Sequence, residues 1–120
     1  MKVIIAGSRT INDYELLVSV IDDSGYVITE VVSGTANGVD KLGEQWANNN
    51  NIPIKQFPAN WREHGKAAGY IRNREMAEYA DAAVILWDNI SKGTQNMITE
   101  MRKKKKPIHL NHKRVKPNEN

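Results

Sequence analysis

The residues of this chain best suited to chemistry are glycines, hydroxyls and guanidiniums that recur behind short apolar runs. Gly7-Ser8-Arg9 follows Val-Ile-Ile-Ala at residues 3–6. Gly7 lets the backbone turn or approach a ligand, and Ser8 and Arg9 beside it make a donor-rich group suited to phosphate. The same tripeptide alone also reads as a tight turn with an exposed arginine. A second stretch, Gly34-Thr35-Ala36-Asn37-Gly38-Val39-Asp40, follows Val31-Val32-Ser33. N–H groups at a helix start there would hold a second phosphate or a ribose hydroxyl. Asp40 reads either as a carboxylate serving the helix dipole or as an acceptor for a sugar. A third stretch, Ser91-Lys92-Gly93-Thr94, combines a hydroxyl with the N–H groups of a helix amino terminus, although a plain N-cap would look the same. Arg72 and Arg74 flank Asn73. Side chains two apart do not share a helix face. Arg72, one turn after Gly69, is therefore expected at the site as a cationic clamp, with Asn73 next to it. Trp87 is a candidate for stacking on a base, or a core residue.

What must position these groups is an alternation of strands and helices. Residues 3–6, 29–33, 54–57, 81–87 and 107–110 read as strands. The first is apolar throughout, as a strand buried on both faces should be, and so is the fourth after Asp81, which places it centrally. The fifth begins at a proline and belongs at an edge. Between them, a helix opening at Asn12 or Asp13 carries Leu16, Leu17, Val20 and Ile21 and ends at Gly25. A second carries Val39, Leu42, Trp46 and Ala47. A third, over 67–79, carries Ile71 and Met76, with Ala80 following, and a fourth, over 94–105, carries Met97, Ile98 and Met101. Residues 58–66, including Trp61 and His64, read as a loop. The whole is an α/β Rossmann-like three-layer, doubly wound and mostly parallel sheet of about five strands, with right-handed crossovers. Ligands of such sheets lie outside the carboxyl ends of the strands, where all three glycine-bearing stretches fall. The dinucleotide fingerprint Gly-x-Gly-x-x-Gly and the P-loop pattern are both missing, which disfavours an NAD-dependent dehydrogenase or a P-loop ATPase.

The 120 residues, 40% hydrophobic and 26% charged, suit one soluble domain. No apolar run approaches the length that spans a membrane. A core strand starts at once and no secretory leader is evident, so a cytoplasmic protein is expected, of a bacterium or of something replicating inside one. With no cysteine, disulfides and thiol catalysis are excluded. His64, His109 and His112 lack metal-ligand spacing, so no metal and no cofactor are expected. The net charge of +3 is uneven. Residues 102–120 hold eight Lys/Arg and one Glu, while residues 1–101 hold nine basic and thirteen acidic residues. The basic end suits nucleic acid or a solvated helix terminus. A domain over 1–110 with a flexible basic tail over 111–120 is the expected division. Three tryptophans in so small a domain make a homodimer or higher oligomer a further expectation.

Taken together, Gly7-Ser8-Arg9, residues 31–40 (Val-Val-Ser-Gly-Thr-Ala-Asn-Gly-Val-Asp), residues 67–77 (Ala-Ala-Gly-Tyr-Ile-Arg-Asn-Arg-Glu-Met-Ala) and Ser91 to Thr94 resemble the DUF2493 group. This is the YspA/YpsA-related branch of the SLOG superfamily, kin to the Smf/DprA and LOG proteins. The resemblance covers about residues 1–110 and implies a Rossmann-like fold that binds nucleotides or nucleotide-derived ligands. Thr35 stands where that family often has a second glycine. LOG proteins are phosphoribohydrolases that cut the N-glycosidic bond of nucleoside monophosphates, using Arg-Lys-x-x-Met and Gly-Gly-x-Gly-Thr-x-x-Glu. Arg72 and Met76 match the first pattern, with Asn73 in the lysine's place. Gly93-Thr94 matches the second, but Met97 replaces its glutamate, and Glu100 lies further along.

The resemblance therefore implies a binder, a sensor or sequestering module for an ADP-ribose-like ligand. The expected ligand set is Gly7, Ser8, Arg9, Gly34, Thr35, Gly38, Asp40, Arg72, Asn73, Trp87, Ser91, Gly93 and Thr94. An N-glycosidase relying on Arg72 and Glu100 is the alternative, and single-stranded nucleic-acid binding through the basic end is a second.

Overall fold

The computed structural model describes residues 1–112. Its elements alternate as expected: β1 (Lys2–Gly7), α1 (Tyr14–Ser24), β2 (Glu30–Ser33), α2 (Val39–Asn49), β3 (Ile54–Gln56), α3 (Trp61–His64), α4 (Ala68–Tyr79), β4 (Ala82–Trp87), α5 (Lys92–Lys103) and β5 (Ile108–His112). The five strands form one sheet in the order β3-β2-β1-β4-β5. Every pairing is parallel, with Val3 opposite Val31, Ile5 opposite Val84 and Ile85 opposite Leu110. The chain winds outward from β1 to β3, then crosses back over β1 to continue through β4 and β5. The order thus reverses between β1 and β4, where sheets of this type open a crevice.

Strand geometry divides the core in two, because successive side chains point to opposite faces. Val3, Ile5, Val31, Val84 and Leu86 meet Leu17, Val20 and Ile21 of α1 and Val39 and Ala47 of α2. Ile4, Ala6, Val32, Ala83 and Ile85 meet Met76 and Ala77 of α4 and Met97, Ile98 and Met101 of α5. The apolar runs of β1 and β4 are buried on both faces for this reason. Full burial of each large side chain contributes about 1.5–3 kcal/mol. Asp13 caps α1 by accepting the Leu16 N–H at 3.0 Å.

Three readings are corrected. The segment 58–66 is not all loop. Asn60 caps the short α3, accepting the Glu63 N–H at 3.1 Å while its own amide reaches the Glu63 carboxylate. Ile71 is only partly covered and belongs to neither core cluster. β5 also runs past Leu110, pairing Asn111 with Leu86 and His112 with Trp87. The rest of the expected tail, from 113 onward, lies outside the described residues.

Candidate functional site

Over the carboxyl ends of β1, β2 and β4, on the face covered by α4 and α5, lies an open cleft of about 230 Å³. The end of β1 lends Ala6 and Gly7 and the turn behind it Arg9. The loop after β2 lends Gly34 and Ala36, and α2 lends Asp40. The α3–α4 region lends Trp61, Lys66, Gly69, Tyr70, Arg72, Asn73 and Met76, and the start of α5 lends Ser91, Gly93, Thr94 and Met97. Nine of the expected residues therefore share one cavity: Gly7, Arg9, Gly34, Asp40, Arg72, Asn73, Ser91, Gly93 and Thr94. Three separate strand ends bring them there.

At its centre Gly34 separates a cation from an anion. A methyl group on Gly34 would fall 2.7 Å from Arg72 Nη1 and 2.9 Å from Asp40 Oδ2. Arg72 Nη1 donates to the Gly34 carbonyl and, at 3.5 Å, to that of Phe57, while its Nε donates to Asn73 Oδ1 at 2.9 Å. The guanidinium thereby ties α4 to the loops after β2 and β3. Asp40, 5% exposed, accepts the Ala36 N–H at 3.2 Å and a hydrogen bond from the Gly7 backbone. Burial pushes its carboxyl up to about 6; those two N–H groups and the charge of Arg72 hold it from rising further. Burial also lowers Arg72, Asp40 opposes that, and Arg9 adds to it by like-charge repulsion. Arg9, Lys66 and Arg72 thus face a cleft whose lining includes one carboxylate, and that carboxylate is already engaged by backbone N–H groups. Such an imbalance favours an anion.

The other wall is held by amides. Asn73, 6% exposed, donates to the Gly93 carbonyl at 3.2 Å and to Asn96 Oδ1 at 2.9 Å, fixing the first turn of α5 against α4. The Thr94 hydroxyl donates to the Ser91 hydroxyl at 3.2 Å. The leading N–H groups of a helix have no intrahelical carbonyl to meet, so this turn presents donors beside the two arginines.

Five expected residues do not line the cleft. Ser8 is 1% exposed, and its hydroxyl accepts the Asp88 N–H at 3.0 Å. It serves the loop after β4, where Asp88 Oδ1 accepts the N–H groups of Ile90 and Ser91, each at 2.8 Å. Gly38 adopts φ +77°, and a methyl group there would meet the Ser8 carbonyl at 2.5 Å and Arg9 Cα at 2.6 Å. It lets the second loop close on the first and so sets the place of Arg9. Thr35 has φ +65°. It occupies a left-handed position that glycine adopts more cheaply. The Trp87 indole donates to the Ser91 carbonyl at 3.0 Å and its ring packs on the α4–α5 core cluster. Glu100 pairs with Lys103 at 3.5 Å on α5, away from the cleft.

Three lining residues escaped the sequence reading: Trp61, Lys66 and Tyr70. The signal that was available is the capping spacing of Asn60 and Glu63, which marks α3 and so orders Trp61. Much of the basic run is engaged within the fold. Lys106 Nζ donates to the carbonyls of Ala77, Glu78 and Ala80 at 2.7, 3.0 and 2.7 Å, and Lys104 pairs with Glu78 at 3.6 Å. Among the described residues no group of three or more His, Cys, Asp or Glu side chains could hold a metal ion, and no helix is long and apolar enough to cross a membrane.

Compared with known proteins, residues 1–64 match the model of the YspA, cpYpsA-related SLOG family. That range takes in the Gly7-Ser8-Arg9 and Gly34–Asp40 loops and α3. The Gene 61 protein of Mycobacterium phage D29 is 32% identical over an alignment 117 residues long that covers 89% of this chain and 93% of the relative. No solved structure matches the chain significantly.

Proposed function

The chain belongs to the YspA, cpYpsA-related SLOG family, and on that premise we propose that it binds a nucleotide or nucleotide-derived phosphorylated ligand, of the ADP-ribose-like class, as a sensor or sequestering module. Membership is consistent with a nucleotide-related role. The observation that carries the reading is the excess of cationic groups in one cleft: Arg9, Lys66 and Arg72 against a single, already hydrogen-bonded Asp40. Arg9 and Arg72 clamp the phosphate together with the α5 amino terminus at Gly93 and Thr94. Asp40 and the Gly34 loop serve the sugar. Ser8, Thr35 and Gly38 act one step back, by shaping the loops.

Isothermal titration with AMP and ADP-ribose tests this. Arg9 is exposed, so Arg9→Ala leaves the core intact while removing charge-assisted hydrogen bonds worth about 10- to 100-fold in affinity. Unchanged binding in that variant removes the first loop from the site. Hydrolysis is the weaker reading, because Glu100 does not line the cleft and the lining carboxylate, Asp40, is anchored by backbone N–H groups. Release of free base from nucleoside monophosphates would replace binding with catalysis.

A further inference from the structure

Eight aromatic side chains fall within the described residues, and two of them are exposed: Trp61, 55%, and Tyr70, 49%. Both line the cationic cleft. A single exposed ring is ordinary, but two in one cleft beside a phosphate-binding group offer flat faces on which a base can stack. We propose that Trp61 and Tyr70 form the base-recognition edge of this cleft, stacking on the nucleobase of a mononucleotide whose phosphate lies between Arg9 and Arg72.

The reasoning rests on the nucleotide-binding reading and adds which end of the ligand goes where. At about 230 Å³ the cleft falls below the usual range for a small-molecule site, roughly 300–1,000 Å³. It encloses a phosphoribosyl group and leaves the base at the mouth. The two rings line the cleft while staying about half in solvent, which suits that position. Trp61 is also tied to the cationic centre in space. The indole edge lies 3.6 Å, and Arg72 Nη2 4.0 Å, from the point where a methyl group on Gly69 would sit. Ring and guanidinium therefore both approach the same small residue, Gly69. Trp61 is held on α3 by the Asn60–Glu63 cap, and none of the four residues of α3 is buried. The helix contributes little to the core and instead carries this ring. Trp87, by contrast, donates its indole N–H to Ser91 and packs on the core, so it is unsuited to stacking.

The test is a titration of wild type, Trp61→Phe and the double variant Trp61→Ala/Tyr70→Ala with AMP, ribose 5-phosphate and inorganic phosphate, read by calorimetry. Base–aromatic stacking predicts that wild type binds AMP about tenfold more tightly than ribose 5-phosphate. In the double variant this preference collapses toward unity while ribose 5-phosphate binds as before, and Trp61→Phe keeps most of it. Both side chains are exposed, so the variants should melt like wild type, and circular dichroism verifies that they do. Equal affinity for AMP and ribose 5-phosphate in wild type overturns base recognition but leaves phosphate binding standing. A preference that survives the double variant moves the base elsewhere. Failure of wild type to bind all three probes overturns the nucleotide reading together with this one.

Discussion

Acidifying the protein should strengthen its fold through Asp40, against the usual behaviour of carboxylates. A carboxyl moved from 3.8 up to about 6 by burial binds its proton more tightly folded than unfolded. Its contribution to stability is then greatest below about pH 4, declines as pH climbs through the interval to about 6, and stays low above it. The difference between 3.8 and about 6 corresponds to roughly 3 kcal/mol. Asp40→Asn isolates the effect, since the amide oxygen still accepts the Ala36 N–H but nothing ionises. Urea unfolding of both proteins from pH 4.5 to 7.5 reads it, because every other titrating group is common to the pair. The stability of the variant relative to wild type should increase by roughly 2 kcal/mol across that range, most of it below pH 6.5. Parallel profiles would mean that the neighbouring N–H groups and Arg72 outweigh burial, and the electrostatic account of the site would fail.

Two further substitutions probe the scaffold. Gly34→Ala forces a methyl group to within 3 Å of both Arg72 and Asp40; overpacking of this kind costs about 1–3 kcal/mol, visible in thermal melts, and AMP affinity should fall at least tenfold as the guanidinium is displaced. Lys106→Met removes a cation that satisfies three carbonyls at the end of α4; a loss of about 1–3 kcal/mol is expected with ligand affinity unchanged, and an unaltered melting temperature would show those contacts to be idle.

Much of this architecture was legible because two periodicities were clean. The unbroken apolar runs at 3–6 and 82–87 could only be interior parallel strands, and the residues of α1, α2 and α5 spaced at helical intervals did turn to the sheet. Glycine followed by polar residues at strand ends marked the rim where nine of the expected site residues meet. What stayed hidden depended on tertiary placement. Ser8 and Arg9 are neighbours in sequence, yet one side chain turns into the β4 loop and the other toward the cleft. Nothing in a tripeptide distinguishes them. Trp87 and Trp61 are alike by type, and only the packed α4–α5 face decides which is covered. Ile71 sits at an apolar helical spacing, yet it is only partly covered and joins neither core cluster. By charge alone the lysine run suits either nucleic acid or a solvated helix end, and neither reading reveals that Lys104 and Lys106 are engaged by α4.

We read this cleft as a binding site, and more than a groove between loops, from what it costs the protein. Arg9 and Arg72 repel each other, burial lowers the pKa of Arg72 and raises that of Asp40, and Thr35 holds a left-handed backbone. Each of these is unfavourable to folding, and all of them sit within one strand-end region. Perturbed groups gather in this way where a ligand restores the balance. An anion placed between the two guanidiniums screens their repulsion, so binding and stability become linked: a ligand at a hundred times its Kd stabilises by about 2.7 kcal/mol. For a domain of this size that is a rise of several degrees in melting temperature. AMP should produce it, and adenosine, with the same base and sugar but no phosphate, should not. Equal shifts from the two would put the affinity in the rings at the mouth and deny the arginines their part.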